Sequence, residues 1–153
     1  MTLQDVVAKS KSEVDIRDAR PGDAEAIAAL LGELGYPSDG AAVRRRLGRI
    51  RSDASSRLFV AETDGDIAGL AGLQVLPLIE HDEVGCMLTA IVVAERYRRR
   101  GIGVELVATV EREARYRGCS RLVLGSAERR TDAHAFYEAL GFETTGGRFV
   151  KAL

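Results

Sequence analysis

No stretch of this chain approaches the ~18 consecutive apolar residues that a membrane-crossing helix needs, so no membrane partner is expected. Residues 1–13 are polar and lack the apolar centre of a secretion signal, and they read as a loose tail or short helix ahead of a cytoplasmic domain. Net charge is nearly absent: 22 Lys and Arg against 23 Asp and Glu leave -1, which removes the bulk-electrostatics argument for nucleic acid as a partner. Cysteine is scarce. Cys86 and Cys119 have neither a CxxC pattern nor metal-ligand spacing, so they read as buried thiols in a reducing compartment, and no metal site is expected. Repeats and low-complexity tracts are missing too. What remains is a 153-residue chain with room for one substantial core, taken here as a single domain over 14–153.

The pattern along that domain alternates between strand and helix signals. Val14-Asp15-Ile16-Arg17 has the apolar–polar alternation of a half-buried strand. Arg20-Pro21-Gly22-Asp23 supplies a turn and an N-cap, and Ile27, Leu30, Leu31 and Leu34 form one helical face that Gly35 ends. A second helix carries Val43, Leu47 and Ile50 on one face and Arg44, Arg45, Arg46, Arg49 and Arg51 elsewhere. A solvated face is the simpler reading of those arginines; steering of an anionic acceptor is the other. Residues 58–63 and 67–75 read as strands joined by a type I′ turn at Asp64-Gly65, with Gly69 and Gly72 marking a bulge or close backbone approach. The span 84–93 is almost wholly apolar, as in a central strand buried on both faces.

Directly after that strand comes Tyr97-Arg98-Arg99-Arg100-Gly101-Ile102-Gly103-Val104. Glycines let backbone N–H groups turn toward an anion, and the helix they open, with Ile102, Leu106, Val110 and Ala114 on one face, adds partial positive charge. A cradle for a pyrophosphate is the functional reading; a tight turn into a helix is the plain one. The chain continues with a parallel strand at 121–124, a helix through Leu140 stopped by Gly141, and a hairpin of strands at 142–144 and 148–153. The order β-α-α-β-β-β-α-β-α-β-β specifies an α+β domain with a mixed, mainly antiparallel sheet and one βαβ crossover. A doubly wound dinucleotide fold is excluded by the missing second half.

Two signatures in this order resemble the GNAT superfamily of N-acetyltransferases. The first is Arg98-Arg99-Arg100-Gly101-Ile102-Gly103 behind Ile91-Val92-Val93, matching the pattern of Arg or Gln, two residues, Gly, one residue, Gly or Ala. The second is Asp132-Ala133-His134-Ala135-Phe136-Tyr137 running to Gly141-Phe142. The likeness spans nearly all of 14–153, and the ending looks most like the aminoalkylphosphonate N-acetyltransferase branch.

The resemblance implies acetyl-CoA as co-substrate and a small-molecule primary amine as acceptor, joined by direct attack. It implies that backbone amides around Arg98, Arg99, Arg100, Gly101, Ile102, Gly103 and Val104 bind the pyrophosphate. Gly101 and Gly103 would then be needed because a Cβ would obstruct it. It further implies that the strand 84–93 and the strand 121–124 splay apart, so that the backbone of Ile91, Val92 and Val93 meets the pantetheine arm as a strand would. Tyr137 would give a proton to the leaving thiolate; packing against the sheet is its plain reading, and Phe136 is expected in the core. For the base, relatives use a strand carboxylate where this chain has Met87 and Ala90. Glu83 is the nearest candidate, with Glu80, His81 and Asp82 behind it and a water ordered by Thr89 as another route. His134 could face the acceptor or solvent, and Arg130 stands where relatives carry asparagine. A homodimer is expected from the family's habits. A catalytically silent acyl-CoA-binding sensor or scaffold, or a peptide N-acetyltransferase, is the competing function.

Overall fold

The computed structural model describes residues 13–125, 131–146 and 149–153. Five strands form one sheet in the order β1-β2-β3-β4-β5: β1 (Asp15–Asp18), β2 (Ser56–Thr63), β3 (Asp66–Leu76), β4 (Gly85–Val93) and β5 (Leu122–Leu124). The first four pair antiparallel, and β5 joins β4 in parallel through the crossover helix. The helices are α1 (Ala24–Leu34), α2 (Gly40–Ser52), α3 (Ile102–Tyr116) and α4 (Thr131–Ala139), and the α+β class read from the sequence stands.

Local chemistry accounts for most boundaries. Asp64 and Gly65 both adopt positive φ (54° and 79°), as the type I′ turn between β2 and β3 requires. Asp39 caps α2 by accepting from the Ala42 N–H at 2.7 Å, and Gly35 ends α1 in the left-handed region. Val43 and Leu47 are buried under α2 while Arg44, Arg45, Arg46, Arg49 and Arg51 are exposed. In α3, Ile102, Leu106, Val110 and Ala114 are all buried, and Glu113 meets Arg117 at 2.8 Å across one turn.

The glycines of β3 assign the two faces of the sheet. A Cβ on Gly69 would meet Leu106 of α3 at 3.0 Å, so Gly69, Ala71 and Leu73 face α3, together with their partners Val93, Ile91 and Leu88. Gly72 and Gln74 face the opposite side, that of α1 and α2. At Gly72 the register slips, because Gly72 pairs with Ala90 and Leu73 with Leu88. Thr89 is therefore the extra residue of a bulge in β4.

Three expectations change. Cys86 and Cys119 are buried as expected, at 2% and 9% exposure, but they are joined in a disulfide, not free. The crossover returns Cys119 beside the start of β4, with the two Cα atoms 6.0 Å apart, a neighbourhood that a 33-residue separation conceals. The strand read at 84–93 as central and buried on both faces is neither: β3 is the middle strand, β4 lies beside the edge strand β5, and on the α1–α2 side Met87 is 38% exposed and Thr89 is exposed. The closing hairpin is absent as strand from the described residues: 142–146 and 149–153 are coil, and β5 has only three residues. Residues 1–12, Arg130, Gly147 and Arg148 lie outside the described residues, and with them most of the expected tail and the tip of that hairpin. No described helix is long and apolar enough to cross a membrane.

Candidate active site

The site begins where β4 and β5 part. Their ladder holds three register pairs, Cys86 with Leu122, Met87 with Val123 and Leu88 with Leu124. Beyond Leu88, β4 runs on to Val93 with β3 as its partner and β5 has ended. Which backbone groups face the resulting gap follows from one hydrogen bond. The Ala94 N–H donates to the Ala68 carbonyl at 2.7 Å, so the strand's alternation turns Val92 and Ala90 toward β3 and Ile91 and Val93 toward the gap. The Val93 carbonyl accepts there from Arg98 Nε at 3.2 Å, which fits an outward-facing group. Val92, grouped with Ile91 and Val93 in the sequence reading, spends its backbone on β3 instead.

At the end of β4 a 3-10 turn (Glu95–Tyr97) leads into the arginine–glycine loop. Arg99 (φ 66°) and Gly101 (φ 79°) are both left-handed, a two-residue alternation that turns successive N–H groups inward. Gly101 is the N-cap of α3 and has no side chain to spend, so the opening amides of Ile102, Gly103 and Val104 keep their hydrogen-bonding capacity; Glu105 N–H is the first to bond back, to the Gly101 carbonyl at 3.1 Å. A fifteen-residue helix aims its positive end at that spot. The guanidinium of Arg100 lies over the Tyr97 ring at 5.2 Å, Arg96 over the same ring at 5.1 Å, and the Tyr97 hydroxyl bonds Asp66 at 2.7 Å. That hydrogen bond to the carboxylate holds the Tyr97 phenol above its ordinary pKa, so it stays protonated.

The two glycines of the signature work differently. Gly101 is set by its backbone angle, with open space where a Cβ would be. Gly103 is set by packing: a Cβ would lie 3.1 Å from Cζ of Phe136. Phe136 thus seats α4 on the opening turn of α3 and beside Val93. Next to it, Tyr137 is half-buried against the core, with its ring edge-on to Phe136 (5.5 Å between centroids) and to Phe142 (5.8 Å). The contact between the two signatures is invisible in either one read alone.

Other candidates fall elsewhere. Glu83 precedes β4 and approaches Ser120 (3.4 Å) at the closed end of the β4–β5 ladder. Thr89 lies six positions further along the chain, up to about 20 Å at the usual strand rise. Glu80, His81 and Asp82 are exposed in the same connection. His134 is half-buried on α4. Among the described residues no group of three or more His, Cys, Asp or Glu side chains could hold a metal. A concavity of about 540 Å³ lies apart from the cradle, between Ala26, Leu30 and Glu33 of α1 and the junction of Asp66 with Ala94–Arg96. It is shaped by structural contacts, Glu33 accepting from the Glu95 N–H at 2.9 Å among them.

An uncapped helix N-terminus behind a left-handed loop, beside a strand with outward-facing backbone, suits a ligand that carries phosphates at one end and amides along an extended arm. Comparison with known proteins agrees. The model of the acetyltransferase (GNAT) family matches residues 25–142. The chain belongs to the GNAT acetyltransferase family. It is 29% identical over 140 residues to an aminoalkylphosphonate N-acetyltransferase of Salmonella typhimurium, covering 91% of each chain. It is 32% identical over 138 residues to an aminoglycoside N(6')-acetyltransferase type 1 of Stenotrophomonas maltophilia, covering 85% of this chain and 86% of the relative. The solved structure of aminoglycoside N-acetyltransferase AAC(6')-Iy in complex with CoA superposes with a TM-score of 0.82 at 24% identity, over 94% of this chain and 96% of that one. This GNAT chain is accordingly an N-acetyltransferase that uses acetyl-CoA.

Proposed function

We propose that this acetyltransferase moves the acetyl group to the primary amine of a small molecule by direct attack. The observation that carries the reading is the gap beyond Leu88, where Ile91 and Val93 present backbone groups in line with the uncapped start of α3. Acetyl-CoA supplies an activated thioester there. Arg98, Arg99, Arg100, Gly101, Ile102, Gly103 and Val104 hold its pyrophosphate through backbone amides, helix charge and guanidinium groups, and Ile91 and Val93 hold its arm. Arg98 has to release the Val93 carbonyl for that arm to bind. Tyr137 gives its phenolic proton to the departing thiolate, the role the sequence suggests for it. The curated relatives, one named for aminoalkylphosphonates and one for aminoglycosides, support a small amine over a protein terminus.

Glu83 stays a candidate base only through a chain of waters, given its place beside Ser120. A cytoplasmic site of action follows from the need for acetyl-CoA. The exposed apolar side chains of Phe149, Val150 and Leu153 support a homodimer formed through the C-terminal segment. The absence of a carboxylate from the interior of β4 favours one competing reading, a protein that binds acyl-CoA as a sensor without turnover. Acetyl-CoA turnover against a panel of amines, with Tyr137→Phe alongside, decides between them. Turnover by wild type and a fall in kcat of about 100-fold in the variant are expected, within the range for loss of a general acid. A wild type that binds CoA yet acetylates nothing sinks the enzyme reading.

A further inference from the structure

The bulge of β4 places a single hydroxyl at the point where the strands part. Thr89 is the first residue after the last β4–β5 pair, Leu88 with Leu124, and its side chain lies over Gly72: a Cβ on that glycine would come within 2.3 Å of Thr89 Oγ1. Glycine at 72 is thus what leaves room for the hydroxyl on the α1–α2 side, opposite the face that α3 covers. The side chains that share this open face with it are Leu58, Gln74, Met87 and Val123, with Met87 and Val123 38% and 48% exposed.

None of those side chains titrates: β2 contributes Leu58, β3 Gly72 and Gln74, β4 Met87, and β5 Val123. Gln74 is engaged away from the gap, its oxygen accepting from Ser56 Oγ and its nitrogen donating to Ser55 Oγ at 2.9 Å. The charged group behind that pair, Asp53, accepts from the Ser55 N–H and hydroxyl at one oxygen, and its other oxygen shares the single Ser56 hydroxyl proton with Gln74. The Thr89 hydroxyl makes no hydrogen bond among the described residues, and the residue is exposed. Among the described strand residues where β4 and β5 part, Thr89 is the polar side chain whose hydroxyl has no partner.

We infer that Thr89 is the acceptor-positioning residue of this acetyltransferase and that the acceptor binds as an uncharged amine. The inference rests on the proposed function and names the substrate class of that same site. Thr89 Oγ1 accepts a hydrogen bond from one amine N–H, which leaves the nitrogen lone pair directed away from it. No carboxylate stands among the described strand side chains around Thr89 to hold an ammonium or remove its proton, so the acceptor loses that proton to water before binding: R–NH3⁺ and H2O give R–NH2 and H3O⁺. The site then selects weakly basic primary amines, those with an electron-withdrawing neighbour. At pH 7 an amine of pKa about 8 is roughly one-tenth uncharged, whereas a lysine-type amine of pKa about 10.4 is uncharged in fewer than about one molecule in 1,000. Preference for the weaker base, on the order of 100-fold in kcat/KM, follows.

The test uses the whole chain saturated with CoA, which cannot react, and measures amine binding by calorimetry from pH 6 to 10 for two amines differing in pKa by about two units. Binding should strengthen with pH up to the pKa of each amine in turn, and Thr89→Val should weaken it at least 10-fold while Thr89→Ser retains it and both keep wild-type CoA affinity. The kcat/KM profiles should move with the amine in the same way. An inflection at one fixed pH for both amines, marking a protein base, overturns the inference, as does wild-type amine affinity in Thr89→Val. A wild type that binds CoA but no amine sinks the proposed function and this inference with it, whereas wild-type affinity in Thr89→Val sinks only the inference.

Discussion

Gly103 lies beneath the ring of Phe136, so close that a Cβ at 103 would sit 3.1 Å from Cζ and 3.4 Å from Cε2. This contact joins the opening turn of α3, where we place the donor cradle, to α4, which carries Tyr137. Gly103→Ala should therefore act on function more than on stability. Alanine gains about 1 kcal/mol of helix propensity over glycine, which offsets part of the steric cost. The expected result is a melting temperature within a few degrees of wild type and CoA affinity several-fold weaker. Trimming the ring with Phe136→Leu in the same chain should restore part of the loss. Calorimetry on the two single variants and the double variant measures that coupling, and strictly additive effects would refute the contact's role.

Gly101 answers to a different constraint, since its φ is 79° and its missing Cβ would meet nothing within 4 Å. Asparagine, which tolerates the left-handed region, should be accepted with a small loss of CoA affinity. Gly101→Glu adds backbone strain and a negative charge at the phosphate site. At about 4 Å and an effective dielectric near 20, like charges repel by roughly 4 kcal/mol, about 1,000-fold in affinity. Equal CoA affinity in the glutamate and asparagine variants would refute the cradle.

Much of this molecule was legible in the chain because its signals are local. Asp64-Gly65 dictates its hairpin, Gly35 its helix stop, and Arg98–Gly103 its strand-to-helix loop, each within a few residues. Gly69 and Gly72 were readable as a bulge or close approach, but not which residue would be displaced. That residue, Thr89, is defined by a register slip between strands. The disulfide and the seat of Phe136 on Gly103 escaped for the same reason, both being contacts between segments 33 residues apart. Glu83 looked close to the chemistry because sequence distance along a strand is easily underestimated; each residue adds about 3.3 Å. The final hairpin, whose tip at Gly147 and Arg148 lies outside the described residues, is coil at 142–146 and 149–153.

Asp23 should govern stability in acid. Both its oxygens are held by Arg17 (2.8 and 2.9 Å), and one also accepts the Arg20 N–H at 2.7 Å, in a site where the side chain is 9% exposed. The Arg17 guanidinium, with help from that N–H and against the cost of burial, holds the Asp23 carboxyl below the usual carboxylate range. A depressed folded-state pKa stabilises the fold above the unfolded value, near pH 4, and the gain disappears as pH falls through the folded value. Arg17 itself is shifted upward, so it stays charged throughout and adds no slope in this range. Asp23→Asn should cost about 3 kcal/mol at pH 7, as for a broken buried pair, and flatten the decline of stability below pH 4. Urea unfolding of both proteins between pH 2.5 and 7 checks this. Parallel curves would show that the pair carries no linkage.

The Cys86–Cys119 bond ties the two ends of the crossover at the closed end of the β4–β5 ladder, one residue pair into a ladder of three. Closing a loop of 33 residues lowers the entropy of the unfolded chain by the equivalent of about 3 to 4 kcal/mol. For a domain of this size that corresponds to a melting temperature lower by about 10 °C on reduction. Cys86→Ala with Cys119→Ala should fall by at least as much, because both sulfurs are buried and their removal leaves space. Alkylation of the unfolded protein followed by mass spectrometry should find no reactive thiol before reduction and two after it. Two alkylated thiols in protein purified without reductant, together with an unchanged melting temperature in the double variant, would mean that the cysteines are packing residues after all.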